Sequence, residues 1–202
     1  AFIFYKLRKQ KMPATNYKLS ICIATLNRAS FLKDTLAQLC AQLNDSVEIV
    51  IVDGNSRDNT EQMVSSFQEN YKNIHYFKEQ KNSGVDQDYD KAIQYALGEY
   101  CWLMTDDDLV SPDTLSALLK ELDDDVELVV LNSEVRTKDL SFVLEDRRLK
   151  ISSDRVYDKS SFEEFFKSCG TYLSFIGCVV IKKSLWMARQ RTPYYGSLFI
   201  HV

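Results

Sequence analysis

Among its 202 residues the chain has only two histidines and six glycines, and none of its five cysteines forms a C-x-x-C pair. Each scarcity closes a class of protein. With His75 and His201 as the only imidazoles and no paired thiols, the usual ligand set of a structural zinc site is missing. Cys22, Cys40, Cys101, Cys169 and Cys178 are odd in number, and Cys22 and Cys101 sit inside apolar runs. That usage reads as reduced, buried thiols in a cytoplasmic protein, not as a disulfide framework. No apolar stretch reaches the roughly 20 residues that span a bilayer. A net charge of -4 lacks the basic field of a nucleic-acid surface, so no nucleic-acid partner is expected.

What is present is the composition of a soluble globular chain, 45% hydrophobic and 27% charged, at a length that suits one domain. Residues 1–17 stand apart. Phe2, Ile3, Phe4, Tyr5 and Leu7 alternate with Lys6, Arg8, Lys9 and Lys11 ahead of Met12 and Pro13. The stretch reads either as a short basic helix resting on a membrane surface, a peripheral contact at its inner face, or as an extension or cloning remnant. The domain proper is expected over 18–202. Its end, just after the apolar residues 198–200, implies a domain truncated at its C-terminus.

From residue 18 strand-like and helix-like segments alternate. Residues 19–24, 47–52, 74–77 and 100–104 are apolar and β-rich. Between them, Phe31, Leu32, Leu36, Leu39 and Leu43, then Met63, Val64 and Phe67, then Val85, Tyr89, Ala92, Ile93 and Ala96 recur at helical spacing. Ser30 is a plausible first N-cap, and Gly98 a residue that closes the third helix. Ser111 and Pro112 read as N-cap and N1 of a helix carrying Leu115, Leu118, Leu119 and Leu122. Strands are expected again at 127–131, 142–144 and 174–181, and helices around Phe162, Phe165 and Phe166 and over 183–189. The β-α-β-α order implies an α/β fold, a mostly parallel central sheet with helices on both faces. Ligands of such sheets bind beyond the carboxyl ends of the strands.

Three strand ends therefore carry the chemistry. The first gives Thr25, Asn27 and Arg28; the second Asp53, Gly54 and Asn55; the third Thr105 with Asp106, Asp107 and Asp108. Three adjacent carboxylates after a buried strand repel one another, and a Mg²⁺ or Mn²⁺ ion shared with substrate phosphates would relieve that repulsion. The same tripeptide at 123–125 follows a charged helix end and reads as a solvated loop. Asp53 can accept from a base N–H or a ribose hydroxyl, or else cap the next helix. Arg28 suits a phosphate or an ordinary ion pair, and Asn27 a ligand contact or a cap.

In order and spacing, SICIATLNR (20–28), EIVIVDGNSRD (48–58) and GEYCWLMTDDD (98–108) resemble the family 2 glycosyltransferases. NSGVD (82–86) ahead of a helix fits as well. The run from Trp102 to Asp108 and the ending YGSLFIHV (195–202) are most similar to abequosyltransferase-like enzymes of bacterial surface polysaccharides. The resemblance implies a GT-A fold with a Rossmann-like nucleotide-binding half. It implies an inverting transfer from a nucleoside diphosphate sugar to a saccharide or lipid-linked acceptor, with a divalent cation. Thr25, Asn27 and Asp53 would hold the nucleoside, with Arg28, Asn55, Asp86 and Asp107 lining the same donor site. Asp106 and Asp108 would serve the ribose and the metal, with the register among the three aspartates open.

The chain departs from the family pattern in two places. A single Asp53 stands before Gly54 and Asn55 where two aspartates are commoner, and residues 194–202 contain no acid to act as base. His201 is the candidate substitute there, as base or third metal ligand. Without an acidic base, a catalytically inactive nucleotide-sugar or glycan-binding module is the alternative. A nucleotidyltransferase or a Rossmann oxidoreductase would need glycines after the first strand, and residues 25–28 have none. An aspartyl-phosphate hydrolase would need an aspartate there.

Overall fold

The computed structural model describes residues 17–122 and 126–201. The basic-apolar stretch at the N-terminus and the second aspartate triplet, at 123–125, lie outside the described residues. In chain order the elements are β1 (Leu19–Thr25), α1 (Ala29–Cys40), β2 (Val47–Asp53), α2 (Thr60–Gln68), β3 (Ile74–Lys78), α3 (Val85–Tyr95) and β4 (Tyr100–Met104). There follow α4 (Thr114–Leu122), β5 (Leu128–Val130), β6 (Val135–Arg136), β7 (Val143–Glu145), α5 (Phe162–Cys169), β8 (Val179–Lys182) and α6 (Lys183–Ala188).

Every residue of β1, β2 and β4 is buried, the condition of strands covered on both faces. Alternate side chains divide between two cores. Leu19, Ile21 and Ile23 pack with Leu32, Leu36 and Leu39 of α1 and with Leu115 and Leu118 of α4. Cys22 and Ala24 face the other way, toward Tyr89, Ala92 and Ile93 of α3 and Trp186 of α6. All five cysteines are free and buried.

The main sheet runs β3-β2-β1-β4-β8-β5, and β6 and β7 form a separate antiparallel pair. β3, β2, β1 and β4 are parallel. The chain winds outward from β1 to β3, then crosses back along α3 to place β4 on the other side of β1. That reversal makes the carboxyl ends of β1 and β4 the switch point of the sheet, where ligands of such folds bind.

Several local expectations need correction. β8 is antiparallel to both β4 and β5, and its strand is four residues long. Tyr172–Ser174 and Ile176–Cys178 are 3-10 turns where a longer strand was expected. The second turn is held to β4 by Trp102, whose indole N–H donates to the Gly177 carbonyl at 2.8 Å. Ser30 is not the cap of α1, which starts at Ala29; the Ala29 N–H is taken by the Asp58 carboxylate at 3.1 Å, from the loop after β2. α4 starts at Thr114, after Asp113 in a left-handed conformation (φ 64°), not at Pro112. Gly98 serves close approach, not helix closure: a Cβ there would meet Ser20 Oγ at 2.5 Å.

Candidate functional site

The carboxyl-end switch point beside β1 and β4 gathers the polar ends of three strands. Thr25, the last residue of β1 and 4% exposed, donates its hydroxyl to Asp106 Oδ2 at 2.7 Å. Arg28 Nε donates to the other oxygen, Asp106 Oδ1, at 2.8 Å, and its Nη2 to Asp107. The loop after β4 is also gripped from behind. Thr35 of α1, fully buried, donates to the carbonyls of Asp106 and Asp108 at 3.1 and 3.0 Å. Asp108 accepts the Thr105 hydroxyl and lies against Gly177, where a Cβ would come within 2.7 Å of Asp108 Oδ2.

Electrostatically the triplet is under-neutralised. Burial raises the Asp106 carboxyl above its ordinary value despite Thr25 and Arg28, and Asp107 adds to the rise. Burial also raises Asp108, with repulsion from Asp107 and Asp106 adding and the Thr105 hydroxyl opposing. Among the described residues no lysine or arginine pairs with Asp108. Among the described residues Arg28 is the one cation paired with the triplet, and it reaches two of the three acids.

The loop after β2 forms the second wall. Asp53, fully buried, accepts the Ser56 N–H at 2.6 Å and the Tyr76 hydroxyl from β3. Ser56 Oγ accepts the Asn27 N–H at 2.8 Å, and Asn27 Oδ1 accepts the Arg57 N–H at 2.7 Å. The loops after β1 and β2 are thus tied edge to edge. Asn27 (φ 55°) and Asn55 (φ 80°) both hold left-handed backbone, a conformation asparagine tolerates well.

Asp86 makes its contacts with the C-terminal segment that carries His201. The Asp86 carboxylate, 3% exposed, accepts the backbone N–H groups of Gly196 (2.8 Å), Leu198 (2.9 Å) and Ile200 (3.4 Å). His201 is 8% exposed, beside the carbonyls of Leu173 and Ser174 without a hydrogen-bonding geometry, and burial holds its pKa below the ordinary value. The residues the sequence did not single out are Thr35, Ser56, Tyr76 and Gly177. Thr35 left a signal, a hydroxyl on the apolar stripe of Leu32, Leu36 and Leu39.

Residues 20–180 match the model of glycosyl transferase family 2. The chain belongs to that family, and its α/β architecture is of the GT-A type. It is 28% identical over 196 residues to abequosyltransferase RfbV of Salmonella typhimurium, across 91% of this chain and 59% of that protein. It is 30% identical over 105 residues to the GalNAc(5)-diNAcBac-PP-undecaprenol beta-1,3-glucosyltransferase of Campylobacter jejuni, across 52% of this chain and 34% of that one. The chain therefore spans less than two thirds of the length of these relatives. Among solved structures, S. aureus TarS 1-349 in complex with UDP superposes with a TM-score of 0.67 at 18% identity, covering 91% of this chain and 53% of TarS 1-349. Mannosyltransferase PcManGT of Pyrobaculum calidifontis, in complex with GDP-Man and Mn²⁺, gives 0.56 at 19% identity, over 90% of this chain and 49% of that one. Among the described residues no helix is long and apolar enough to cross a membrane.

Proposed function

We propose that the chain is the donor-binding part of an inverting glycosyltransferase. It holds a nucleoside diphosphate sugar at the switch point beside β1 and β4 and, with a divalent cation, moves the sugar to a saccharide or lipid-linked saccharide. The observation that carries this reading is the convergence of Thr25, Arg28 and the aspartate triplet at the switch point of a family 2 sheet.

The site suits a hard divalent cation. Among the described residues no three acids, histidines or cysteines converge to enclose an ion. Mg²⁺ and Mn²⁺ are commonly held by one or two carboxylates, the remaining positions going to phosphate oxygens and water. Asp108, without a cationic partner, and Asp106 are the ligands proposed, with Asp107 beside them. When bound, the cation would neutralise charge on the diphosphate leaving group. The chain's own residues do the positioning. Thr25 and Thr35 fix the carboxylate loop, Asp53 and Asn27 shape the nucleoside wall, Asn55 extends it, and Arg28 offers a planar fork to phosphate oxygens.

In this reading a general base deprotonates the acceptor hydroxyl as it attacks the anomeric carbon from the side opposite the diphosphate, which gives inversion. The base is not assigned; within the chain His201, whose pKa burial lowers, is a weak candidate for it. A lipid-linked acceptor would bring the chain to the inner face of a membrane, where the basic, apolar residues 2–11 fit a peripheral contact.

The test is calorimetric titration with UDP, CDP, GDP and dTDP, with Mn²⁺ or with chelator. Wild type is compared with the Asp106→Ala, Asp108→Ala double variant. Metal-dependent binding of one nucleotide, lost in the variant, is expected. Equal binding in the variant would overturn the assignment of the aspartates. No binding of any nucleotide by wild type would overturn the donor site.

A further inference from the structure

The acid triplet already has a cation on it. Arg28 spans Asp106 and Asp107 with two different nitrogens, and its guanidinium lies over the Phe31 ring, 4.5 Å from the centroid. One side chain thus engages two of the three carboxylates on which a divalent cation would depend. The Arg28 side chain is 38% exposed and Asp107 46%, so the pair faces solvent.

We propose that Arg28 is an exchangeable counter-ion. It neutralises Asp106 and Asp107 while the site has no donor, and frees Asp106 to join Asp108 on the metal when a diphosphate arrives to take the guanidinium. The inference rests on the donor-site reading above and adds an order of events to it.

A guanidinium and a divalent cation on the same carboxylates repel each other, so metal alone meets a competitor already in place. A diphosphate offers the guanidinium phosphate oxygens in the bidentate geometry it prefers, which removes the competitor as the metal gains phosphate ligands. Arg28 has also kept the freedom to move, since only the half-exposed end of its side chain must turn. Another arginine in the same fold shows what a fixed pair looks like. Arg191 lies 2.7 Å from Asp90, whose carboxylate is 1% exposed and also holds Trp186 and Tyr195. Asp106 is likewise buried and held by Thr25, but the other partner of Arg28, Asp107, is 46% exposed and, among the described residues, holds nothing else.

Metal and nucleotide should therefore bind with positive coupling that runs through this residue. The test is titration with Mn²⁺, counting free ion by electron paramagnetic resonance, for wild type, Arg28→Gln and Arg28→Lys. Each is measured alone and with the nucleotide that wild type prefers. Arg28→Gln should bind Mn²⁺ alone up to about fivefold more tightly than wild type, the release of a half-exposed ion pair. It should also show a smaller gain in Mn²⁺ affinity when nucleotide is added. Arg28→Lys keeps the charge without the fork, so its Mn²⁺ affinity without nucleotide should stay near wild type. Far-ultraviolet circular dichroism establishes that each variant is folded.

Nucleotide binding by wild type with no tightening of Mn²⁺ in Arg28→Gln would overturn the exchange alone. Failure of wild type to bind any of the four nucleotides would overturn the donor reading itself. No Mn²⁺ binding to either protein would overturn the role of the triplet.

Discussion

Asp108 is the carboxylate whose surroundings leave least room for change. A Cβ on Gly177 would fall 2.7 Å from Asp108 Oδ2 and 2.7 Å from the Phe175 ring. The glycine is required by space, since its backbone is not in the left-handed region. Gly177→Ala should push Asp108 off its position at an overpacking cost of about 1–3 kcal/mol. The expected result is roughly tenfold or greater loss of Mn²⁺-dependent nucleotide affinity by calorimetry, and unchanged affinity would remove Gly177 from the site. Asp108 also gives a pH signature. Burial raises its carboxyl above the ordinary 3.8, so between that value and the raised one the folded chain binds more protons than the unfolded chain. Its contribution to stability is present in full below 3.8 and is lost as pH rises through the raised value. Asp108→Asn should therefore gain stability over metal-free wild type as pH rises through that window, with the gap closing on acidification. Mn²⁺ affinity of wild type should move oppositely, weakening on acidification at a higher pH than an ordinary carboxylate would allow. Thermal melts and Mn²⁺ titrations across pH check both signs; a gap that widens on acidification would refute the argument.

At the scale of elements, α3 does more than cover the sheet. Asp86 and Asp90, four residues apart on one helix face, hold most of the C-terminal segment between them. Asp86 takes three backbone N–H groups from residues 196, 198 and 200. Asp90 takes Trp186 at 2.9 Å, the Tyr195 hydroxyl at 2.6 Å and the Arg191 guanidinium. Asp90→Ala would leave the partly buried Arg191 with three backbone carbonyls but no carboxylate, and Trp186 and Tyr195 without their acceptor, so a loss of about 3–5 kcal/mol in denaturant unfolding is expected. A loss under about 1 kcal/mol would mean the segment is held by other contacts. These bonds also mark where sequence reading stops. The strands at 47–52 and 100–104 and the first three helices were legible because their signal is local, an apolar run or a 3.6-residue stripe. The partners of Asp86 lie 110 to 114 residues away, and no periodicity announces them. Asp58 capping α1 from the next loop is invisible for the same reason. The turns around Gly177 break a β-rich stretch because Trp102 and Asp108 close on them, a tertiary demand that overrides local propensity. Of the site, the three strand ends were readable as a set, since the carboxyl-end rule applies to any parallel sheet. The hydroxyls of Thr35 and Tyr76 were not, because their role depends on which loop they face.

Across the whole molecule the burial is uneven, and stability should follow it. β1, β2 and β4 are buried along their whole length between two apolar layers. The β6–β7 pair instead exposes Phe142 (70%), Val143 (46%) and Leu144 (67%), and α5 exposes Phe162 and Phe166. Opening β6–β7 uncovers little apolar surface that is not already in water, so it costs far less than opening the sheet. Hydrogen exchange followed by mass spectrometry should show amides of β1, β2 and β4 exchanging only at the global limit, about 5–15 kcal/mol for a domain of this kind. Amides of β6, β7 and the segment between them should exchange several kcal/mol more easily, by roughly a thousandfold or more in rate. The loops of the proposed donor site lie between these extremes, tied by side-chain bonds but not by a sheet ladder. Mn²⁺ with the preferred nucleotide should therefore slow exchange at residues 25–28, 53–58 and 105–108 while leaving β6–β7 unchanged. Equal protection of β6–β7 and β1 would contradict the uneven core. Ligand protection confined to β6–β7, away from the three loops, would move the binding site off the switch point altogether.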